Sequence, residues 1–247
     1  MTTLLIDGDI TLYQIASKCE VATEWEEGLW TLHSDLNEGV KLFNEEIERL
    51  QENLNASDYI VCLTGSKNFR KKIFPEYKAN RVGKRKPLIL GALRAYVIEQ
   101  HRSMCEDTLE ADDLLGLLSQ KHKDSIIVSS DKDMKTIPCK LSIDGEETIN
   151  VSQEQAKWNF YNQCLTGDAT DNYSGCPNIG PAKASKILEK STNYWKAIVE
   201  TYQKADLTEQ QALVQAQMAY ILRKPKDYNF KTRKVKEWAP MTKRVVL

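Results

Sequence analysis

The chain has 247 residues, of which 41% are hydrophobic and 28% are charged, and its formal net charge is −1. This composition is typical of one good-sized folded domain, with or without a smaller appendage, and argues against a disordered protein. No apolar run approaches the roughly 18 residues that cross a bilayer, and the three histidines lack the spacing of a zinc motif.

The first residues, MTTLLIDGD, reach acidic side chains without a basic flank, so we expect no signal peptide. The six cysteines contain no CxxC pair, which is typical of a reduced protein. We therefore expect a cytoplasmic protein with no membrane partner.

Strands and helices alternate in the first part of the chain. Short apolar runs predict buried strands, and longer periodic segments predict helices. In chain order we predict a strand at 3–6 ending in a loop at 7–9, a helix at 36–54, a strand at 59–63, a long loop or short exposed helices at 64–87, a helix at 88–101, a strand at 103–105, a helix at 110–118 and a strand at 125–128. This order predicts an α/β fold with a mostly parallel sheet and helices on both faces.

After about residue 150 the pattern becomes helical. Helices are predicted at 153–166, 182–190, 194–205 and 208–222, with a turn at 175–181. We therefore divide the chain into an α/β core at 1–150, which includes a basic segment at about 64–95, and a helical region at 151–247 that packs on the core.

Acidic residues follow predicted strands, begin a predicted helix or follow one. They lie on four segments: Asp7 and Asp9; Glu110, Asp112 and Asp113; Asp131 and Asp133; Asp168 and Asp171. The carboxyl edge of a parallel sheet is where ligands bind, although a single acid after a strand is more often a loop or cap residue. Converging carboxylates repel unless cations join them, and all-oxygen ligands favour Mg²⁺ or Mn²⁺. We predict two such ions, about 4 Å apart, for phosphodiester hydrolysis.

Within the basic segment at about 64–95, residues 67–86 contain nine Lys and Arg residues and one acid, Glu76. Cations interleaved with aromatic rings are typical of single-strand binding, and the alternative is a solvated basic loop. The predicted DNA-binding residues here are Arg70, Lys71, Tyr77, Lys78, Arg81 and Lys84.

The stretch from Gly175 to Ala184 resembles a helix-hairpin-helix turn, in which a helix N-terminus offers N–H groups to a phosphate. We predict DNA contacts from Asn178, Gly180 and Lys183, and a K⁺ ion at the turn; the alternative is an ordinary connection between helices. A P-loop is excluded, because Pro181-Ala182 stand where Lys-Ser/Thr is required.

Six motifs in this order resemble the 5′-nuclease (flap endonuclease) superfamily, which includes T7-type phage 5′–3′ exonucleases and the 5′-nuclease domain of bacterial DNA polymerase I. They are Asp7-Gly8-Asp9, Tyr77-Lys78-Ala79-Asn80-Arg81, Glu110-Ala111-Asp112-Asp113, Asp131-Lys132-Asp133, Gly167-Asp168-Ala169-Thr170-Asp171 and Asn178-Ile179-Gly180-Pro181. The resemblance covers nearly the whole chain.

This resemblance implies a Rossmann-like (PIN-like) core, a basic arch and a helix-hairpin-helix element that grips duplex DNA. It implies removal of 5′ nucleotides from duplexes, flaps and RNA–DNA hybrids in replication or recombination, in the host cytoplasm for a phage protein. Lys78 and Arg81 match arch positions that steer the scissile phosphate and are the predicted catalytic cations.

Two positions depart from the family pattern. The family usually has an Asp after the second strand, where this chain has Leu63-Thr64-Gly65, so that a ligand is missing or is replaced by Asp9 or a water. Asn178 stands where the hairpin usually has Gly, and Asn tolerates the left-handed conformation.

Three other functions remain open from the sequence. The residues LIDGDIT, together with Thr64, also fit the first motifs of haloacid-dehalogenase-type phosphatases. A DNA-binding protein with a decayed nuclease site and a PIN-type single-strand RNase are the others. The phosphatase hypothesis gives no role to the acids at 110–113, to the basic segment or to the hairpin.

Overall fold

The computed structural model of the chain describes residues 1–240. These residues form two compact units. Unit 1 comprises Met1–Lys67, Gly83–Met134 and Cys139–Val151, and unit 2 comprises Asn68–Val82, Lys135–Pro138 and residues 152–240. The last seven residues of the predicted helical region at 151–247 lie outside the described residues. The grouping differs from the division drawn from the sequence, because residues 68–82 of the basic arch belong to unit 2.

The strands are, in chain order, β1 Thr3–Asp7, β2 Glu20–Glu26, β3 Leu29–Ser34, β4 Asp58–Thr64, β5 Ser103–Glu106, β6 Ser125–Val128, β7 Cys139–Ser142, β8 Ile149–Val151, β9 Tyr228–Asn229 and β10 Lys234–Val235. Unit 1 holds a six-stranded sheet in the order β5-β4-β1-β6-β7-β8. Its strands are parallel except for β8, which pairs antiparallel with β7. The predicted mostly parallel sheet is confirmed.

The helices are α1 Gly8–Lys18, α2 Leu36–Asn53, α3 Arg70–Ile73, α4 Leu90–Gln100, α5 Ala111–Lys121, α6 Gln153–Thr166, α7 Pro181–Glu189, α8 Tyr194–Gln203 and α9 Glu209–Ala219, with 3₁₀ turns at Ala79–Arg81 and Lys132–Thr136. The predicted helices of both regions lie within a few residues of these bounds. None of the helices in the part of the chain that the structure describes is both long and apolar enough to cross a membrane.

The two faces of the sheet are covered by different helices. Leu4 and Ile6 of β1 belong to a buried cluster with residues of α1, α2 and α4. Leu5 alternates to the opposite face and is also fully buried, and α5 contacts β1 and β4. Helices therefore flank the sheet, as the α/β pattern predicts.

The predicted loop at residues 7–9 is wrong, because α1 begins directly after β1. The side chain of Asp7 caps the helix by accepting a hydrogen bond from the backbone N–H of Ile10. Gly8 allows the close approach of α1 to β4, since a Cβ at this position would lie 2.6 Å from side-chain atoms of Val61 and Leu63.

The antiparallel hairpin of β2 and β3 was not predicted from the sequence. Its residues are almost all exposed, and they include Trp25 and Trp30, which are 67% and 55% exposed. The alternation of Val21, Thr23 and Trp25 with the charged or small residues between them is a strand signal that the sequence offers, although neither strand is buried.

Residues 64–87, predicted as a long loop or short exposed helices, contain two buried polar side chains, Arg70 and Tyr77, each only 2% exposed. The Arg70 guanidinium donates to the backbone carbonyls of Met218 (3.2 Å) and Tyr220 (2.7 Å), both in unit 2. These contacts explain why residues 68–82 group with unit 2. Arg70 was predicted to contact DNA. In the structure its guanidinium instead holds this segment against the chain near Met218 and Tyr220.

Candidate active site

Two of the predicted acidic ligands of unit 1 lie at a reversal of strand order. The central strand β1 lies between β4 and β6, so the chain passes from β1 outward through β4 to β5 and then returns to β6 on the other side. At such a switch point the connections leave the carboxyl edge in opposite directions, which opens a crevice for ligands. Asp7 ends β1 at this edge, and Asp131 follows β6.

Asp7 is almost fully buried at this edge, with only 2% of its surface exposed. Its Oδ1 accepts a hydrogen bond from the N–H of Ile10 (3.2 Å), and its Oδ2 accepts one from the hydroxyl of Ser129 (2.8 Å). Burial raises the pKa of Asp7 to about 6, and the negative charges of Asp9 and Asp131 contribute to the rise. The three acids are therefore close enough to interact, and a cation among them would relieve their repulsion.

Ser129 joins Asp7 to the loop that carries Asp131. Its hydroxyl donates to Asp7 and accepts a hydrogen bond from the backbone N–H of Asp131 (3.1 Å). The Oδ1 of Asp131 in turn accepts from the N–H of Asp133 (2.8 Å). The sequence analysis predicted no role for Ser129. Its position between β6 and Asp131 is the sequence feature that could have indicated one.

Asp9 has a different set of partners. Its carboxylate accepts hydrogen bonds from the N–H of Thr64 (3.2 Å to Oδ2) and from the guanidinium of Arg94 (3.0 Å to Oδ1). Arg94 also donates to the carbonyl oxygen of Thr64 (2.5 Å). Arg94 was missed by the sequence reasoning, although it is the one cation in the otherwise largely apolar α4.

The acids at the start of α5 have partly structural roles. Glu110 and Asp113 are buried, and the N–H of Glu110 donates to Asp113 Oδ2 (3.2 Å). The next N–H, of Ala111, donates to the hydroxyl of Thr64 (2.9 Å). Asp113 and Thr64 thus accept hydrogen bonds from the first N–H groups of the helix.

Asp112 is half-buried and belongs to the same neighbourhood as the acids that follow β1. Burial raises the pKa of the Cys62 thiol well above its usual range, and the charges of Asp7, Asp9 and Asp112 contribute to that rise. Because Cys62 lies near the end of β4, Asp112 joins the group at the carboxyl edge of the sheet.

In unit 2, Asp168 lies in a tight turn. It is 5% exposed, and its Oδ1 accepts a hydrogen bond from the N–H of Thr170 (2.7 Å). Its backbone forms an antiparallel bridge with Tyr173. The turn fixes the direction of the Asp168 side chain.

Asp171 contacts three residues of the motif Tyr77–Arg81. It accepts a hydrogen bond from the Tyr77 hydroxyl (2.7 Å) and forms ion pairs with Arg81 (2.6 Å) and Lys78 (3.5 Å). The two predicted catalytic cations therefore neutralise a predicted metal ligand within unit 2.

The hairpin residues have the geometry that the sequence predicts. Asn178 has a φ of 60°, so it adopts the left-handed conformation that Gly usually supplies. Gly180 caps α7, and the Lys183 ammonium donates to the Asn178 carbonyl (3.0 Å). These three residues are exposed to solvent, as are Lys71 and Lys84, so their predicted DNA contacts stay predictions.

Within residues 1–240, no three Asp, Glu, His or Cys side chains are grouped so that they could hold a metal ion. The donors around Asp7 are nevertheless oxygen atoms, and the charges of Asp9 and Asp131 add to the effect of burial in raising the pKa of Asp7. This chemistry fits a hard divalent cation such as Mg²⁺ or Mn²⁺.

Comparison with known proteins identifies the family. Residues 2–158, more than half of the chain, match the N-terminal, resolvase-like domain of 5′–3′ exonucleases. The chain is 28% identical to the exodeoxyribonuclease of Enterobacteria phage T3, with 96% of this chain and 92% of that protein covered. It is 29% identical to the exonuclease of Escherichia phage T7, with 96% and 93% covered. A crystal structure of the T5 D15 protein with metal ions has a TM-score of 0.65 at 16% identity, covering 90% of each chain. The chain therefore belongs to the 5′–3′ exonuclease family.

Proposed function

We propose that the chain is a metal-dependent nuclease that hydrolyses phosphodiester bonds of DNA near a free 5′ end. One observation carries the proposal: in a member of the 5′–3′ exonuclease family, Asp7 and Asp131 converge at the switch point of the sheet, with the pKa of Asp7 raised to about 6. Ligands of open α/β sheets bind at this position.

Asp7 and Asp131 are the residues that would hold a divalent ion, and Mg²⁺ or Mn²⁺ suits their oxygen donors. Such an ion supplies a water of lowered pKa and stabilises negative charge on phosphate oxygens. Ser129 fixes the carboxylate of Asp7 relative to the Asp131 loop. The second ion, and the ligand roles of the other seven acids, stay predictions.

The cations of unit 2 supply DNA contacts in this proposal. Lys78 and Arg81 would stabilise the charge that builds on the scissile phosphate, and Asp171 holds both in a fixed orientation. The N-terminus of α7 and the ammonium of Lys183 would bind a phosphate of the duplex. The K⁺ ion at the hairpin turn stays a prediction.

The proposed substrates are duplex DNA with a free 5′ end, 5′ flaps and RNA–DNA hybrids. Two solved structures of similar fold, the T5 D15 flap endonuclease and the catalytic core of Rad2, contain DNA. The phage relatives support action in the cytoplasm of a host cell.

The metal requirement is tested by incubating labelled duplex DNA with Mg²⁺ and with excess EDTA. We expect EDTA to abolish cleavage while part of the DNA binding, measured by anisotropy, persists, because the basic surfaces do not need the ion. Cleavage at the full rate in EDTA would refute the metal mechanism, and binding without cleavage in Mg²⁺ would favour the decayed-site alternative.

The phosphatase alternative loses one of its supports. Thr64, which fits the second phosphatase motif, uses its hydroxyl to accept a hydrogen bond from the N–H of Ala111 at the start of α5. The discriminating assay compares turnover of nitrophenyl phosphate with release of nucleotides from duplex DNA, and we expect only the second reaction.

A further inference from the structure

A guanidinium lies where the acid-rich edge of unit 1 would be expected to carry another carboxylate. Arg94 of α4 is 29% exposed at its side chain and forms an ion pair with Asp9 (3.0 Å). It also donates to the carbonyl oxygen of Thr64, the last residue of β4 (2.5 Å). Both terminal nitrogens of the Arg94 guanidinium are therefore held, one by the Asp9 carboxylate and the other by the Thr64 carbonyl oxygen.

A carboxylate has no room directly after β4. The family pattern has an Asp in the region where this chain has Leu63-Thr64-Gly65, and Gly65 is the first residue after the strand. A Cβ built at Gly65 would lie 2.1 Å from the Glu106 carbonyl oxygen and 2.6 Å from backbone atoms of Asp107. With this backbone, no side chain can occupy position 65.

Asp9 is correspondingly engaged by donors of this chain. The Thr64 N–H approaches both of its carboxylate oxygens (3.4 and 3.2 Å), and Arg94 donates to Oδ1. An arginine side chain stays charged at every relevant pH, so its charge is present whenever a metal ion would bind. A divalent ion close to this guanidinium would be repelled.

We propose that Arg94 is a built-in cation that replaces one divalent ion on the Asp9 side of the acid cluster. Asp9 is then the partner of Arg94 and not a metal ligand, and the chain binds one catalytic ion in place of the predicted two. The proposal rests on the proposed metal-dependent function. It explains together the loss of the carboxylate after β4, the absence of room at Gly65 and the presence of Arg94.

The test is a calorimetric titration of the full chain with Mn²⁺ in the absence of DNA. The wild-type chain should bind one Mn²⁺. Arg94→Met should bind Mn²⁺ about tenfold more tightly, which is the size of effect that one charge within about 6 Å has on proton binding. Arg94→Lys, which keeps the charge, should stay within about twofold of wild type.

The matched control is Arg102→Met, since Arg102 pairs with Asp58 at the start of β4, away from the carboxyl edge. This variant should leave Mn²⁺ binding unchanged. Two bound ions in the wild type, or unchanged or weaker Mn²⁺ binding by a folded Arg94→Met variant, would overturn the proposal. The wild-type stoichiometry decides the matter even where a variant fails to fold. If no Mn²⁺ bound at all, the metal-dependent function itself would fail, and the inference with it.

Discussion

Asp7 in unit 1 and Asp171 in unit 2 are both predicted metal ligands, but their carboxylates are stabilised differently. In unit 1, Asp7 is held by a serine hydroxyl and a backbone N–H, and burial together with neighbouring acids raises its pKa to about 6. In unit 2, Asp171 receives a tyrosine hydroxyl and two cations, Lys78 and Arg81. The hydrogen bonds of Asp7 come from neutral donors, whereas Asp171 is paired with two cations of its own unit.

The difference indicates separate tasks for the two sets of acids. A carboxylate with neutral donors and a raised pKa gains from a divalent ion, so the group around Asp7 suits metal binding. A carboxylate that is ion-paired with two cations orients them, so Asp171 suits the positioning of the arch. Asp9 with Arg94 is the unit 1 counterpart of this second arrangement.

The largest effect should come from the unit 1 acids. Asp131→Asn removes the negative charge of a proposed metal ligand beside Asp7 while nearly preserving the side chain's shape. We expect single-turnover cleavage in saturating Mg²⁺ to fall at least about a hundredfold. DNA affinity should change little. The control is Asp124→Asn, an exposed acid of the same unit (52% side-chain exposure), which should cleave normally. A wild-type rate for Asp131→Asn would mean that this acid does not hold the ion.

Unit 2 should depend on Arg70 for stability. Arg70→Met removes the charged donor of two backbone carbonyls, at Met218 and Tyr220, and should lower the free energy of unfolding by about 2–3 kcal/mol. Urea denaturation measures this loss. Lys71→Met, the exposed neighbour, is the control and should be within about 0.5 kcal/mol of wild type. Equal stability of both variants would contradict the structural role of Arg70.

The arch cations should have an intermediate effect. Lys78→Ala and Arg81→Ala should each slow single-turnover cleavage by about tenfold or more, equal to about 1.4 kcal/mol of barrier, because they stabilise charge in the transition state. Ground-state affinity should fall less, and Lys121→Ala at the end of α5 should be neutral. Loss of affinity alone, with intact rates at saturation, would make the arch an electrostatic guide only.

The pairing with Asp171 can be separated from this catalytic effect. The double variant Arg81→Ala/Asp171→Asn removes both members of a 2.6 Å ion pair. Its loss of rate should be smaller than the product of the two single losses, because contacting residues are not additive. Strict additivity would show that Asp171 does not act through Arg81.

The smallest effect should come from the hairpin. Lys183→Ala should reduce the dependence of log affinity on log salt by about one phosphate contact, without changing the cleavage rate at saturation. The control is Lys41→Ala on α2, whose ammonium pairs with Glu45. An unchanged salt slope would place Lys183 away from the DNA.

The features that could be predicted from the sequence are those that depend on a local pattern of residues. The buried strand at 125–128 and the acids at the carboxyl edge follow from short apolar runs that end in aspartate. The burial of Arg70 depends on acceptors at Met218 and Tyr220, far along the chain, so no local signal reveals it. The ion pair of Arg94 with Asp9 likewise joins α4 to α1 across the sequence.

The central claim, that this chain cuts from the 5′ end with the help of a divalent ion, is tested most directly by digesting one duplex labelled at either terminus. With Mg²⁺, 5′ label should be released early as mononucleotides or short fragments, while 3′ label stays on long, progressively shortened strands. Without the ion, neither label should be released. Early release of the 3′ label, or release of either label in excess EDTA, would contradict the account.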